Sequence, residues 1–204
     1  MVQIAHLPQC FRCRRYPIRA LQPAILHVAL LEIARDQPSQ AEKISRDRAA
    51  ELAQQEKEHP GSVDKDDEAL TRGVLALSLL AGGGRSRLNE ASSIMSKVDG
   101  TRNCPLWATL EITKARVQSN IDQKVARLAL SDVADRTQRL GLVGHRFETE
   151  LAMIEVDLLS GQSVSAGKHA ADLQGRAQSA GFLLIARLAK SIEAKAKPST
   201  RKDG

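Results

Sequence analysis

The stretch from Leu140 to Phe182 reads LGLVGHRFETELAMIEVDLLSGQSVSAGKHAADLQGRAQSAGF, and its pattern indicates the fold class. It contains two segments of helical length that mix apolar and polar residues, and each one stops at a glycine, Gly161 and Gly181, while Gly141 precedes the first. A glycine directly after the last apolar residue is typical of a helix C-terminus, because glycine adopts left-handed backbone at no steric cost. The stretch therefore predicts two helices joined by a short turn.

The same pattern extends in both directions along the chain. No proline occurs between Pro105 and Pro198, an interval long enough for five helices, and proline is the residue that most strongly interrupts a helix. The breaks in this interval predict helices at 106–119, 122–140, 144–160, 163–180 and 182–196. Upstream, breaks that contain Pro or Gly predict four more helices, at about 24–34, 39–58, from the acids at 64–67 to Gly82, and 86–98.

The composition agrees with an all-α fold. The 204 residues include 28 Ala and 25 Leu, whereas aromatic residues make up only 2%. Ala and Leu favour helices, while strands draw on β-branched and aromatic residues, so the composition argues against an all-β fold. A hydrophobic content of 42% is enough for a core and argues against a wholly disordered chain.

The helix breaks themselves repeat. The run Leu79-Leu80-Ala81-Gly82 is similar to Leu158-Leu159-Ser160-Gly161, which lies 79 residues later, and Leu140-Gly141-Leu142 is matched by Ala180-Gly181-Phe182, 40 residues later. A unit of about forty residues that contains two helices is typical of an α-solenoid, whose units bury their apolar faces by stacking. The sequence therefore predicts an α-solenoid of antiparallel helix pairs.

This repeat predicts the organisation of the chain. A helical-repeat domain is expected over 23–196, between an irregular basic segment at 1–22 and a disordered basic tail at 197–204. Within the domain the pairs are expected at about 23–58, 65–98, 106–140 and 144–180, followed by a capping helix at 182–196.

Four phrases of the sequence carry a resemblance to a known family. They are Asp67-Glu68-Ala69-Leu70-Thr71-Arg72, Leu140-Gly141-Leu142-Val143, Phe147-Glu148-Thr149-Glu150-Leu151-Ala152 and Gly181-Phe182-Leu183-Leu184-Ile185-Ala186-Arg187. With these phrases, the region 24–196 resembles degenerate tetratricopeptide repeats, like those at the C-terminal end of bacterial multidomain signalling proteins with a serine/threonine-kinase or winged-helix regulator domain. The resemblance implies a TPR-like superhelix that binds proteins or peptides, as a scaffold or as a sensor segment of a signalling protein. It supplies no catalytic residue.

The basic charge lies at the ends of the chain. The net charge is +6, but residues 1–22 carry four Arg and no acid, and residues 187–204 carry six cations against two acids. Each end therefore contributes +4, which leaves a body with a charge of −2. A nucleic-acid-binding fold is expected to carry its basic residues on the folded surface, so we disfavour nucleic acid as a partner. The alternative hypothesis is a nucleic-acid-associated transcriptional regulator that uses the basic tails.

The cysteines point to a reducing compartment. Three residues, Cys10, Cys13 and Cys104, are too few for a disulfide framework. His6 lies close to the first two, but zinc usually takes four ligands, and the fourth would have to come from Cys104 or from the distant His27. We therefore predict reduced thiols and no metal site.

The sequence also bears on membranes and location. A membrane span needs about eighteen consecutive apolar residues. The best apolar run, Ala24–Ala34, is shorter and contains His27 and Glu32. No cleavage site of small residues follows this run, as a secretory signal would require. We therefore predict a cytoplasmic protein without a membrane partner.

No catalytic constellation is convincing. Between Gly161 and Gly167 there are five residues where a phosphate-binding loop has four, and His169 replaces the Ser or Thr that would bind magnesium. We expect Gly167 to be a packing residue and Gly82–Gly84 to form a turn.

Four acids lie on one predicted helix, namely Glu148, Glu150, Glu155 and Asp157. Acid–base catalysis would need a pocket and shifted pKa values, so we predict no enzyme activity, no small-molecule substrate and no cofactor.

Two groups of polar residues are candidates for contact with a protein partner. Glu111, Lys114 and Gln118 form a stripe at i, i+3 and i+7 on one predicted helix. Glu150 and Asp157 share a face of another predicted helix at the same spacing. In a stacked array, the first helix of each pair lines the concave surface, which is where we expect these five residues.

Overall fold

A computed structural model describes residues 24–196, and in this part of the chain all regular structure is helical. The helices are α1 (Ala24–Ala34), α2 (Pro38–Glu58), α3 (Lys65–Gly82), α4 (Arg85–Met95), α5 (Cys104–Ser119), α6 (Gln123–Arg139), α7 (Val143–Leu159), α8 (Ser163–Ser179) and α9 (Leu183–Ala196). The prediction of an all-α fold is confirmed for these residues. The predictions for 1–22 and 197–204 concern residues outside the described range.

The helix boundaries follow the predicted breaks closely, with two differences around the loop between α4 and α5. The helix α4 ends at Met95 rather than at 98. The helix α5 begins at Cys104 rather than at 106, because the Asn103 side chain accepts a hydrogen bond from the amide of Leu106 at 3.3 Å. Pro105 fits inside this first turn, where a backbone N–H has no helical partner.

The turns in the second half of the chain repeat the same geometry. Three glycines have a positive φ, of 69° at Gly141, 77° at Gly161 and 84° at Gly181. In each turn the glycine amide donates to the carbonyl three residues earlier, and the next amide donates to the carbonyl five residues earlier. This is the Schellman motif, which satisfies the last carbonyls of a helix. As a result, the helices α6 to α9 begin at intervals of 20 residues, at Gln123, Val143, Ser163 and Leu183.

Packing is mostly between neighbours in the chain. Each helix contacts the next one, and contacts also join α1 to α3, α3 to α5, α5 to α7 and α7 to α9. The apolar helix α3 is buried on more than one side, as predicted. The close approach of α3 to α5 needs a small residue at Gly73, because a Cβ added there would lie 3.0 Å from Leu110 Cδ2 of α5.

The helices α6 and α8 bury equivalent positions at an interval of 40. Four positions in each are no more than 2% exposed, namely Ala126, Leu130, Val133 and Thr137 in α6 and Ala166, Ala170, Leu173 and Ala177 in α8. Asp132 and Arg136 form an ion pair at 3.8 Å, and the same residue types, Asp172 and Arg176, form one at 2.8 Å. The repetition therefore includes side-chain contacts as well as the backbone.

Candidate partner-binding surfaces

The structure brings together the three predicted residues of α5. Glu111, Lys114 and Gln118 lie on one face and are partly exposed, and Lys114 Nζ pairs with Glu111 Oε1 at 3.0 Å. Each of these two side chains is 33% exposed, so a partner can reach them. The indole of Trp107 lies on the same face, and Arg136 of α6 sits 3.8 Å above its centroid. The predicted stripe is therefore on the side of α5 that faces α6.

The opposite face of α5 contacts α7. Arg116 Nε donates to Glu155 Oε2 at 2.8 Å, and Thr109 Oγ1 lies 3.3 Å from His145 Nε2. Burial lowers the pKa of Arg116, but the attraction and hydrogen bond of Glu155, together with the charge of Glu148, raise it by more, so the net pKa is raised. Glu148 and Glu155, two of the four acids on this helix, therefore stabilise the charge of Arg116.

Glu150 joins α7 to α8. Its carboxylate accepts hydrogen bonds from Arg146 at 3.2 Å and from Arg176 of α8, and its side chain is 22% exposed. The hydrogen bond to Glu150 is the main cause that raises the pKa of Arg176. Glu150 is thus an inter-helix contact that keeps partial access to solvent.

Asp157 lies in the interior, contrary to our placement of it on a partner surface. It is 2% exposed, and its carboxylate pairs with Arg127 of α6, while His169 Nδ1 of α8 is 3.8 Å away. The face that it shares with Glu150 points towards α6 and α8. A partner cannot reach Asp157 in this structure, so we remove it from the candidate residues.

The exposed apolar residues were missed by the sequence reasoning. Large exposed fractions occur around α6, α7 and α8, at Ile121 (62%), Val125 (49%), Leu128 (74%), Leu159 (52%) and Val164 (72%). The turns before α6 and before α8 are adjacent, because Gln123 Nε2 donates to the carbonyl of Leu159 at 3.4 Å, and Ser160 Oγ donates to Gln123 Oε1 at 3.3 Å. The 40-residue match between α6 and α8 could have identified their outer positions.

The glycine segments have the packing and turn roles that we expected. Gly167 lies inside α8, and a Cβ added there would be 3.1 Å from the Cβ of Ala196 in α9. Gly83 and Gly84 form the turn between α3 and α4 with φ values of 66° and 91°. An open cleft of about 460 Å³ adjoins this turn and is lined by Leu79, Leu80, Gly83, Gly84, Arg85, Leu88 and Asn120.

Metal-ligating residues do not cluster between 24 and 196: no group of three or more His, Cys, Asp or Glu could hold an ion there. The segment with His6, Cys10 and Cys13 lies outside the described residues. Cys104 is buried at the start of α5.

Among the helices of residues 24–196, none has the length and apolar character needed to cross a membrane. No family model matches the chain, and no curated protein and no solved structure matches it significantly.

Proposed function

We propose that this chain is a non-catalytic protein–protein interaction scaffold, a TPR-like α-solenoid that acts in the cytoplasm as an adaptor or as a regulatory segment of a signalling protein. The observation that carries the proposal is the repetition in its second half. The same turn recurs every 20 residues from Gly141 to Gly181, and α6 and α8 share buried positions and ion pairs at an interval of 40.

The packing supports a solenoid. Three-residue turns such as 140–142 and 160–162 leave so little chain between helices that neighbours must run antiparallel. Each helix packs mainly on its neighbours in the chain. Arrays built in this way expose extended surfaces, and repeat proteins use such surfaces to bind partners.

The acidic residues support a structural role rather than a catalytic one. Glu155 is held by Arg116, Glu150 by Arg176 and Asp157 by Arg127, and each pair joins two different helices. A carboxylate whose oxygens are engaged by an arginine of another helix is not free to contact a substrate. These pairs hold the array together.

The test is capture of a partner by the full chain, followed by mapping. The immobilised chain is expected to retain a protein that binds saturably, and replacing Glu111, Lys114 and Gln118 by alanine should weaken that binding by about tenfold. Replacing Lys43, Asp47 and Glu51, which are exposed on α2, is the matched control. A folded chain that captures no protein above background contradicts the proposal. Salt-sensitive DNA or RNA binding that is lost on deletion of 1–22 and 197–204 would instead support the nucleic-acid hypothesis.

A further inference from the structure

The outer faces of α6 and α8 each present one basic and one apolar residue, in opposite order. At equivalent positions of the 40-residue match, α6 carries Lys124 and Leu128, and α8 carries Val164 and Lys168. Leu128 is 74% exposed and Val164 is 72% exposed, and both lysines are exposed. Each helix therefore offers one apolar and one basic side chain, one helical turn apart.

These two faces lie side by side. Arg127 of α6 and His169 of α8 both approach the carboxylate of Asp157, at the end of α7. Their chain neighbours, Leu128 and Lys168, are therefore at the same level of the array. We define the α6–α8 surface as Lys124, Leu128, Val164 and Lys168.

The α6–α8 surface has a positive end. Neither Lys124 nor Lys168 forms an ion pair with any residue between 24 and 196. The N-termini of α6 and α8, at Gln123 and Ser163, lie at the same end. That of α8 has no side-chain cap and adds partial positive charge, whereas the carboxylate of Asp122 caps that of α6. One turn further along, the acids Asp132 and Asp172 are 65% and 66% exposed, and each is paired with an arginine.

We propose that the α6–α8 surface docks an amphipathic helix of a partner protein, whose apolar side chains contact Leu128 and Val164 and whose acidic residues pair with Lys124 and Lys168. This inference rests on the proposed scaffold function and names the chemistry of its partner. Apolar anchors flanked by charges of the opposite sign are the usual basis of helix recognition.

The experiment selects peptides on the full chain. Random peptides of about sixteen residues, long enough for about four helical turns, are panned against the wild-type protein. Enriched peptides are expected to have a net negative charge and apolar residues three or four positions apart. The variant Leu128→Ser, Val164→Ser should weaken their binding by about tenfold. The variant Lys124→Glu, Lys168→Glu should reverse the selection towards basic peptides, whereas Lys190→Glu on α9 should leave it unchanged.

The outcomes distinguish a failure of the α6–α8 surface from a failure of the scaffold function. Enriched peptides without net negative charge, or binding that is equal in all variants, would overturn the α6–α8 surface and leave the scaffold function standing. A folded chain that enriches no peptide and captures no protein would overturn both. Binding to vesicles that contain anionic lipid, lost in Lys124→Glu, Lys168→Glu and without peptide enrichment, would reassign the surface to membranes and also overturn the proposal. Circular dichroism confirms that each variant is folded.

Discussion

The contact between α6 and α7 and the contact between α8 and α9 are formed by different chemistry. At one position of the 40-residue match, α6 has Arg127 and α8 has Gly167. Arg127 reaches across to the buried carboxylate of Asp157 on α7. Gly167 instead lets α9 approach so closely that a Cβ would lie 3.1 Å from that of Ala196.

The difference shows how much variation one backbone pattern accepts. A buried carboxylate such as Asp157 is costly unless a cation compensates it, so the contact between α6 and α7 depends on charge. The contact between α8 and α9 depends on dispersion between closely packed atoms, which needs a small residue at Gly167. Because either kind of contact can join neighbouring helices, residue identity between α6 and α8 is low although the turns that follow them are the same.

The largest effect on stability is expected from removing the positive charge of Arg127 at the contact between α6 and α7. Arg127→Ala leaves Asp157 buried without its arginine and should lower the free energy of unfolding by about 3 kcal/mol. Urea denaturation followed by circular dichroism measures it. Arg139→Ala is the control, because Arg139 is exposed on the same helix and, among residues 24–196, its side chain donates a hydrogen bond only to the carbonyl of Asp135. Equal stability of the two variants would show that the ion pair does not hold α6 to α7.

A double variant sharpens this result. Arg127→Leu, Asp157→Val removes both charges and leaves apolar residues of similar shape at the contact. The loss of stability should then be smaller than in Arg127→Ala, because the buried charge that lacks a partner has been removed as well. A double variant that is less stable than the single one would mean that Asp157 has another essential contact, for which His169 is the candidate.

The contact between α8 and α9 can be disrupted by a larger side chain at Gly167. Gly167→Leu places a side chain against Ala196 and should lower the free energy of unfolding by about 2 kcal/mol. Gly175→Leu, on the same helix, is the control because nothing lies within 4 Å of a Cβ added there. The measurement is again urea denaturation, and the comparison is between the two glycine variants. A Gly167→Leu protein as stable as the control would show that α9 moves aside at little cost.

The helices could be predicted from the sequence because their limits are local. Proline cannot continue a helix, and glycine ends one in a backbone conformation that other residues avoid. Breaks at Gly141, Gly161 and Gly181 therefore predict turns without reference to the rest of the chain, and the structure has turns at all three.

The surfaces could not be predicted in the same way. Asp157 and Glu150 look equivalent on a helical wheel, yet one is 2% exposed and the other keeps 22% of its side chain exposed. The difference depends on whether Arg127 reaches the residue from another helix, which spacing along one helix does not reveal. Leu128 is the reverse case, since an apolar residue usually favours the core but this one is 74% exposed.

The glycine turns between helices provide a smaller effect. Gly161→Ala forces alanine into left-handed backbone at φ 77° and should lower the free energy of unfolding by about 1 kcal/mol. The equivalent position before α6 is Ile121, which does not have a positive φ. Ile121→Gly should therefore change stability by no more than about 0.5 kcal/mol. Thermal and urea denaturation of the two variants test this, and a stabilised Ile121→Gly protein would contradict it.

The smallest effect concerns the aromatic contacts that recur in the two units. Arg136 lies 3.8 Å from the centroid of Trp107, and Arg176 lies 5.8 Å from that of Phe147. Arg136→Gln should cost only about 0.5 kcal/mol, because the contact is partly exposed. It should nevertheless shift the fluorescence emission of Trp107, the one tryptophan of the chain. Arg176→Gln removes the matching contact in the other unit and should leave the emission unchanged. If both variants shift the emission equally, the two units are coupled rather than stacked as separate modules.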